Sequence, residues 1–383
     1  MKEYTPEELK KMYAARRKKV VEYLKENQVG AAVFIDNESN REPSLRYFTG
    51  HTSDAVLIIL DTGKSILIPW DEILAKKIAY CDKIIPYTRY NNQDIQAVQM
   101  NLNAALSSVK YTKVELPPQT CYPQFLKFID ALPAWDVRCK ENGVHQFAVE
   151  LRMVKDEYEI ECTKEACRVG DLIIQKIEEG IHNQSIKTEM DVALLIEKEL
   201  RLNGCEKTGF DTLAAGPSRS WAIHAFPGYT QGEWPAQGLS ILDFGVIYNG
   251  YTSDTTLTVA KGPLSKEQEE ILELVEHAAK ECLRLYKPGV PVREACEQAQ
   301  LIFKGANRSM PHTLGHGIGL EIHEYPRVST KMPADVVFKT GMIVTLEPGL
   351  YDEKCGGCRL ENDVLITQDG NEVISNSKII RIE

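Results

Sequence analysis

The chain has 383 residues, of which 43% are hydrophobic and 26% charged, a composition typical of a globular protein large enough for two domains. Its formal net charge of −10 gives no basic footprint, so we expect neither nucleic acid nor a membrane surface as a partner. No apolar run approaches the roughly 20 residues of a membrane span, and the N-terminus has no signal-peptide pattern. We therefore expect a cytoplasmic protein whose ten cysteines stay reduced.

The first half of the chain predicts a small α/β domain over residues 1–142. Thr5, Pro6 and Glu8 are the start signal of a helix, and the basic run Arg16–Lys19 inside that helix is predicted to be solvated. Short β-like runs and helical patterns then alternate, which predicts a mixed sheet with helices. The strongest of them are Ala31–Ile35, Ala55–Leu60, Ser65–Ile68, Asp71–Tyr80 and Gln93–Leu106. We find no catalytic pattern in this half.

The second half, residues 150–383, predicts helices gathered around antiparallel strands, which is an α+β arrangement. Residues Glu150–Glu179 are predicted to form one long helix that ends at Gly180. Thr188 opens another helix, which closes at Asn203-Gly204. Two amphipathic helices are predicted further on, over Ser265–Tyr286 and Val292–Lys304.

Residues Ser240–Ala260 read SILDFGVIYNGYTSDTTLTVA and predict a β-hairpin that turns at Asn249-Gly250. A loop of two or four residues sets Asp243 opposite Thr256, so that Asp243 and Asp254 share one face with their Cβ atoms roughly 7 Å apart. A three-residue loop puts them on opposite faces. Two adjacent carboxylates repel unless they are protonated or bridged by a cation. The alternative is a pair of exposed Asp side chains on an edge hairpin.

Residues His312–Pro326 read HTLGHGIGLEIHEYP, a histidine-rich and glycine-rich stretch that favours a functional site. Gly315, Gly317 and Gly319 surround His316 and permit close approach of backbone around it. Further on, Glu347 closes an apolar strand, and Glu361 is predicted to lie inside the next strand. The acids Asp243, Asp254, Glu347 and Glu361 with His316 form a donor set that suits hard or borderline ions such as Mn, Co, Fe or Zn.

The order, spacing and neighbouring sequence of these five residues resemble those of the pita-bread (M24) metallopeptidases. Within that family, the chain most resembles Xaa-Pro aminopeptidases and Xaa-Pro dipeptidases (prolidases). The motifs cover Glu150–Ile382, and the preceding residues are similar, more loosely, to the N-terminal domain shared with creatinase. The resemblance implies an α+β protein with a C-terminal pita-bread domain of antiparallel sheet flanked by helices, over residues 150–383. A smaller α/β creatinase-like domain, residues 1–142, would precede it.

The resemblance also implies a homodimeric hydrolase with two divalent metal ions per chain, acting on proline-containing peptides. Asp243 would bind one ion, His316 and Glu347 the other, while Asp254 and Glu361 would bridge both. Glu347, His323, His224 and His312 would be the catalytic residues. His224, His312, His323 and Arg359 would contact or surround the substrate.

Three departures from the family pattern affect what the resemblance implies. Thr313 stands where the family usually has a small Gly or Ser, and Leu257 stands where an Arg often follows the second Asp. Cys355 and Cys358 replace residues of the loop that precedes Glu361. The alternatives are a metal-using hydrolase or lyase of the same fold that is not a peptidase, and a non-catalytic peptide-binding protein. The sequence does not choose between dipeptides and longer peptides, and it does not name the metal.

Overall fold

A computed structural model describes residues 2–383, which divide into two compact units, 2–151 and 152–383. Each unit has its own buried apolar core, so each is described by itself. Among the described residues, none of the helices is both long enough and apolar enough to cross a membrane.

The unit 2–151 is built on a six-stranded mixed sheet with the strand order β4-β3-β2-β1-β5-β6. Its strands are β1 (Ala31–Asp36), β2 (Ala55–Leu60), β3 (Ser65–Pro69), β4 (Lys83–Ile84), β5 (Lys113–Leu116) and β6 (Asp136–Cys139). Its helices are α1 (Pro6–Glu26), α2 (Pro43–Thr49), α3 (Glu72–Ile78), α4 (Asp94–Ala105), α5 (Tyr122–Ala131) and α6 (Val144–Leu151). The strands β1 to β3 run antiparallel, while β3–β4, β1–β5 and β5–β6 are parallel pairs. The predicted mixed sheet is confirmed.

The helix α1 starts as predicted, because Thr5 and Glu8 form a reciprocal capping box around Pro6. The prediction that Arg16–Lys19 is solvated is wrong for the first half of the run. Arg16 and Arg17 are buried and donate hydrogen bonds to the carbonyls of Tyr47 and Phe48 at the end of α2. Guanidinium groups satisfy carbonyls that the last turn of a helix leaves unpaired, and this non-local partner is not visible in the sequence.

The unit 152–383 carries the helices α7 (Glu157–His182), α8 (Glu189–Leu202), α9 (Lys266–Leu283) and α10 (Val292–Gly305). Its first strands are β7 (Lys207–Thr208), β8 (Leu213–Ala215), β9 (Gly238–Phe244), β10 (Val246–Tyr248), β11 (Tyr251–Thr252), β12 (Thr255–Lys261) and β13 (Gly315–Gly317). The others are β14 (Glu324–Val328), β15 (Ile343–Leu346), β16 (Gly349–Asp352), β17 (Gly356–Arg359), β18 (Asn362–Ile366), β19 (Asn371–Val373) and β20 (Ile379–Ile382).

Two larger sheets of this unit supply the strands around the site. One has the order β16-β17-β9-β12-β20 with β8 also paired to β9, and the other has the order β14-β13-β15-β18-β19. A third, short sheet joins β11, β10 and β7. The helices α9 and α10 contribute one apolar core, and α7 and α8 contribute another. The helices therefore pack on the strands through two separate apolar clusters, which is how layered domains bury the apolar faces of their sheets.

The predicted hairpin is confirmed in register. Asn249 and Gly250 form the turn with φ values of 48° and 88°, as a two-residue loop with both central residues at positive φ requires. Ile247 pairs with Thr252, and Asp243 pairs with Thr256. Asp243 and Asp254 consequently lie on the same face of the hairpin.

The long helix predicted over Glu150–Glu179 is wrong in both of its bounds. The chain instead forms α6 and α7, separated at residues 152–156, and α7 continues through Gly180 to His182. Asp156 starts α7 with a capping box to Glu159. Gly180 is needed inside the helix, since a Cβ there would lie 2.6 Å from the Ile186 side chain.

Candidate metal centre

A cavity of about 720 Å³ in the unit 152–383 brings together all of the residues that the sequence singled out as a site. Its lining includes the five predicted metal ligands, the three predicted histidines and one arginine: Asp243, Asp254, His316, Glu347, Glu361, His224, His312, His323 and Arg359. These side chains come from both larger sheets and from the loops that join their strands.

The hairpin of β9 and β12 positions the two aspartates. Asp243 lies near the end of β9, and Asp254 directly precedes β12, where its backbone N–H donates a hydrogen bond of 2.9 Å to the Asp363 carboxylate. Gly245, opposite Asp254, has no room for a side chain, because a Cβ would lie 2.0 Å from the Ser253 carbonyl oxygen. The close backbone approach at this glycine keeps the two aspartates on adjacent strands.

His316 is held in β13 by glycines, as the sequence predicts. A Cβ at Gly315 would lie 2.0 Å from the Thr345 carbonyl oxygen, and one at Gly317 would lie 2.2 Å from the Tyr325 carbonyl oxygen. The His316 Nδ1 lies 3.1 Å from the Gly317 carbonyl. With Nδ1–H donating to that carbonyl, the lone pair is on Nε2 and faces the cavity acids.

The remaining two acids come from the strands beyond His316. Glu347 follows β15 directly, as expected, but Glu361 does not lie inside a strand. Glu361 instead lies between β17 and β18, where the chain passes from one larger sheet to the other and bridges to Thr256. This crossing brings a carboxylate from a distant part of the chain next to the hairpin.

Donor atoms of Asp254, His316 and Glu361 all lie within 4.8 Å of one another. The His316 Nε2 is 3.6 Å from Asp254 Oδ2 and 3.6 Å from Glu347 Oε1. Asp243 Oδ2 accepts a hydrogen bond of 2.6 Å from Arg359, which leaves its buried Oδ1 without a hydrogen-bond partner. The free donor atoms of the set therefore face a common space.

Burial and mutual repulsion dominate the electrostatics of these acids. Burial, with the charges of Glu361 and Asp243 second, raises the pKa of Asp254 well above its usual range. Burial and the charges of Glu347 and Asp243 do the same to the pKa of Glu361. Burial also raises the pKa of Glu347 to about 8, and it lowers the pKa of His316 to about 3. A neutral imidazole next to crowded carboxylates is the state that a bound cation requires.

A hydrogen-bond chain behind the acids orients them. Arg359 is buried and donates to Asp243, to the Thr256 hydroxyl at 3.0 Å and to the Tyr351 hydroxyl at 2.7 Å. The Thr256 hydroxyl in turn donates to Glu361 at 2.7 Å. One guanidinium thus connects a carboxylate of β9 to the carboxylate that follows β17.

The three predicted histidines lie on the cavity wall at different depths. His312 is half-buried, its Nε2 is 3.0 Å from the Tyr351 hydroxyl, and burial lowers its pKa to about 4. His323 is more exposed, and its ring packs edge-to-face on His316 with the ring centroids 4.4 Å apart. His224 is exposed on the loop between β8 and β9. All three are open to a molecule in the cavity.

Sequence reasoning missed several residues of the site. The most important is Tyr351, which joins Arg359 to His312. The β16–β17 hairpin pairs Tyr351 with Gly357 and Gly349 with Arg359, so Tyr351 and Arg359 share a face. Recognising that hairpin in the sequence could have found Tyr351. The other missed lining residues are mostly apolar: Phe210, Asp211, Leu213, Ile223, Ala225, Phe226, Gly228, Ile322 and Arg327.

The departures from the family pattern differ in their relation to the cavity. Thr313 lines it, whereas the side chain of Leu257 is buried in the apolar core on α7 and α8. Cys355 and Cys358 are free thiols at the β16–β17 hairpin, and burial raises the pKa of Cys358 to about 12. Because the thiolate is the reactive form, a thiol that stays protonated does not favour redox chemistry at Cys358.

The residues present fit a divalent metal. Four carboxylates and one neutral imidazole converge in a cavity, and Asp243 Oδ1 is a buried acceptor with no hydrogen-bond partner. Buried like charges at this spacing repel each other, and a cation removes that repulsion. Oxygen and imidazole donors without thiolate suit hard or borderline ions.

Comparisons with known proteins identify the relatives of this chain. The profile of metallopeptidase family M24 matches residues 161–368. The Xaa-Pro dipeptidase of Pyrococcus horikoshii is 32% identical over 371 residues, which cover 94% of this chain and 97% of that protein. The crystal structure of the prolidase from Pyrococcus horikoshii matches with a TM-score of 0.81 at 27% identity, covering 95% of this chain and 98% of that one. The X-Pro aminopeptidase of Thermotoga maritima matches with a TM-score of 0.81 at 26% identity, covering 96% and 99%.

The cavity that gathers four carboxylates around His316, together with these relatives, identifies a metal-dependent hydrolase. The chain belongs to metallopeptidase family M24, whose members use divalent metal ions. The likeness to prolidase structures confirms the predicted fold class, α+β with a pita-bread C-terminal domain after a creatinase-like N-terminal domain.

Proposed function

We propose that this chain is a dinuclear metallopeptidase that hydrolyses the Xaa-Pro bond at the N-terminus of dipeptides or longer peptides. The observation that carries the proposal is the cavity that brings the four predicted carboxylate ligands together with His316 and three further histidines. The names of its relatives, Xaa-Pro dipeptidase, prolidase and X-Pro aminopeptidase, support the substrate class.

In this proposal Asp243, Asp254, His316, Glu347 and Glu361 would together hold the two metal ions, Asp243 on one side of the set and His316 with Glu347 on the other. Two ions bound there, drawn from Mn, Co, Zn or Fe, would act as Lewis acids and lower the pKa of a water molecule enough to supply hydroxide near neutral pH. Arg359 keeps Asp243 oriented, since it occupies Oδ2 and leaves Oδ1 free.

The side chains around the cavity divide the remaining work. Glu347 is the general base that takes the proton of the attacking water and passes it to the leaving proline nitrogen. His323 donates a hydrogen bond to the oxyanion that develops on the scissile carbonyl. His224 and His312 hold the prolyl peptide bond, and the substrate's amino group lies near Asp243.

The selection of proline rests on an apolar part of the cavity wall, which suits a residue that has a rigid ring and no amide hydrogen. The apolar part of the cavity wall includes Phe210, Leu213, Ile223 and Ile322. Proline has a rigid ring and no amide hydrogen, so an apolar wall can accept it without leaving a buried donor unpaired. A residue with a free amide N–H in that place would bury the donor without a partner.

A metal-reconstituted assay that compares Ala-Pro, Ala-Pro-Ala and Ala-Ala-Ala tests the substrate class. We expect turnover of one or both of the proline peptides and little turnover of Ala-Ala-Ala. Equal hydrolysis of all three would remove the proline selectivity. Peptide binding without any turnover, at fewer than about one metal per chain, would favour a non-catalytic peptide-binding protein. Turnover of non-peptide substrates alone would favour a metal-using hydrolase or lyase that is not a peptidase.

Substitutions in the cavity test the assigned roles. Glu347→Ala or His316→Ala should lose occupancy of the second metal and nearly all turnover, while the circular dichroism spectrum stays that of the folded protein. Near-normal hydrolysis of a Xaa-Pro peptide by either variant contradicts the assignment. His323→Ala should lower mainly kcat with both metals still bound, and loss of metal would make His323 a ligand instead.

We also propose that residues 1–142 form the creatinase/prolidase-like domain and residues 150–383 the catalytic domain of a cytoplasmic homodimer. Light scattering of the metal-loaded protein measures the oligomeric state directly. A monomer that hydrolyses Xaa-Pro peptides at the full rate would remove the dimer from the proposal and leave the chemistry unchanged.

A further inference from the structure

Glu189, the first residue of α8, is a buried carboxylate outside the cavity, with 1% of its surface exposed. Its Oε1 accepts a hydrogen bond of 2.8 Å from the backbone N–H of Gly216. Its Oε2 accepts from Arg219 Nη1 at 2.6 Å, from Thr230 N–H at 2.7 Å and from the Thr230 hydroxyl at 2.6 Å. All four donors belong to one segment, residues 216–230, which we call the mouth loop.

The mouth loop forms part of the cavity wall. Its middle supplies five lining residues: Ile223, His224, Ala225, Phe226 and Gly228. The loop has no helix or strand between 217 and 230, so its shape depends on a few anchoring contacts. Glu189 fixes both of its ends, because Gly216 and Thr230 bind to the same carboxylate.

Further contacts also hold the middle of the mouth loop. Arg359 Nη1 donates to the Ile223 carbonyl at 3.1 Å, and the backbone N–H of Ala214 donates to the Gly228 carbonyl at 2.8 Å. Arg219 also donates to the Pro227 carbonyl, so this side chain joins Glu189 to the second half of the loop. Phe226 is 96% exposed and supplies little packing of its own. The loop is therefore held by polar anchors and by a small apolar cluster in which Ala225 packs with Leu213 and Ile241.

The carboxylate of Glu189 is not needed to begin its own helix. The start of α8 is capped by Thr188 and Asp191 in a reciprocal capping box. Glu189 is attached to the rest of the helix only through its backbone, and its side chain points its hydrogen bonds at the mouth loop. A buried carboxylate that accepts four hydrogen bonds, one of them from a guanidinium, is held in a fixed orientation by its donors.

We propose that Glu189, together with Arg219, is a positioning residue for His224, and that it sets the shape of the cavity wall against which the prolyl substrate binds. This inference rests on the proposed function, in which His224 holds the prolyl peptide bond. Because Glu189 touches none of the proposed metal ligands, its effect passes through the mouth loop and leaves metal binding unchanged. A misplacement of about 1 Å is enough to lower turnover roughly 100-fold.

The first test is the Glu189→Gln variant of the full-length, metal-loaded protein. Gln keeps the size of the side chain but provides one acceptor oxygen and no charge for Arg219. We expect kcat/KM for Ala-Pro to fall roughly 10- to 100-fold, with wild-type metal content by elemental analysis. Backbone hydrogen exchange should rise in the peptides that contain Gly216 and Thr230. The control is Glu197→Gln on the same helix. The Glu197 side chain is 46% exposed, so this substitution should leave kcat/KM, metal content and hydrogen exchange at their wild-type values.

A double-mutant cycle with His224→Ala separates positioning from a general structural effect. If Glu189 acts through His224, the substitution Glu189→Gln should lower kcat/KM in the wild type but add little to the loss in His224→Ala. An equal loss in both backgrounds overturns this inference and leaves the proposed function intact. A His224→Ala variant with wild-type kcat/KM overturns both the role of His224 and the inference.

Arg219→Lys gives a second route if Glu189→Gln does not fold. The Arg219 side chain is 21% exposed, so a change there is easier to accommodate. Lys keeps the charge but cannot reach both Glu189 and the Pro227 carbonyl with one planar group. We expect a smaller loss of kcat/KM that again disappears in the His224→Ala background, and an unchanged kcat/KM together with wild-type exchange in the mouth loop contradicts the inference.

Discussion

Glu324 is a buried carboxylate whose charge is balanced by two buried cations. Arg152 donates to its Oε1 at 2.7 Å and Lys155 to its Oε2 at 3.0 Å, and the backbone N–H groups of Leu320 and Glu321 also donate to it. Burial by itself raises the pKa of Glu324, but the charges of Arg152 and Lys155 outweigh it and hold the pKa below its usual range. Glu324 directly follows His323, and its hydrogen bonds with the backbone of Leu320 and Glu321 fix the turn that carries His323.

The Glu324→Gln substitution should therefore destabilise the protein by about 3–5 kcal/mol at neutral pH. It leaves the buried Lys155 without its carboxylate partner and removes one of the carboxylates that Arg152 binds. A carboxylate whose pKa is lower in the folded than in the unfolded protein stabilises the fold fully above its unfolded pKa of about 4.3. This stabilisation is lost as the pH falls through the pKa of the folded state. The difference in free energy of unfolding between wild type and variant should accordingly shrink below about pH 4. Urea titrations across a pH series measure it.

The matched control for that prediction is Glu372→Gln. Glu372 pairs with Lys164 at 2.6 Å, but both side chains are largely exposed, at 49% and 38%. An exposed pair of this kind contributes roughly 0–1 kcal/mol. A Glu324→Gln variant that is no less stable than Glu372→Gln, or a difference from wild type that grows toward acid pH, would contradict the assignment of a buried, charge-balanced carboxylate.

Among the secondary-structure elements, β13 depends most on the absence of side chains. Gly315→Ala would place a methyl group 2.0 Å from the Thr345 carbonyl oxygen, so β13 and β15 would have to separate. We expect a loss of about 1–3 kcal/mol of stability and a weaker metal affinity, because His316 is the next residue along the strand. Thermal unfolding and a metal titration of the same sample check both effects.

The control is Gly305→Ala at the end of α10, where a Cβ would meet no atom within 4 Å. Ala is preferred over Gly in a helix by about 0.8–1.0 kcal/mol, so this variant should be as stable as the wild type or slightly more stable. A Gly315→Ala variant with wild-type stability and metal affinity would show that β13 relaxes without moving His316.

The same elements explain which features the sequence predicts. The turn at Asn249-Gly250 is local, because two residues that accept positive φ fix the register of the hairpin and therefore the face that Asp243 and Asp254 share. The glycines around His316 are also local signals. The break between α6 and α7 is not, since the apolar periodicity continues across it while Arg152 and Lys155 turn toward Glu324, 172 and 169 residues away.

The roles of three further residues were also not predictable from the sequence, namely those of Tyr351, Arg16 and Glu189. Each was missed or misjudged because its partner lies elsewhere in the fold, whether His312, the end of α2 or the mouth loop. Resemblance to a family provides the ligand order without such partners. It supplies Arg359 but not Thr256 or Tyr351, which the hydrogen bonds of the folded chain connect to the ligands through Arg359.

On the scale of the whole molecule, the metal site joins the two larger sheets of the unit 152–383. Asp243 and Asp254 come from one sheet, His316 and Glu347 from the other, and Glu361 from the crossing between them. Without a cation the buried carboxylates either repel one another or must be protonated, and both conditions cost free energy that a bound cation removes. Metal binding should therefore stabilise the strands of both sheets together.

Removal of the metal by a chelator should speed backbone hydrogen exchange in β9, β12, β15 and β18. At a free metal concentration of 100 times Kd, one site contributes about 2.7 kcal/mol, which is roughly a 100-fold change in exchange through global opening of the unit. The internal control is β1 to β3, because every residue that lines the cavity belongs to the unit 152–383. Exchange that rises equally in β1 to β3, or that changes in neither unit, would mean that cations do not bind at the carboxylate cluster.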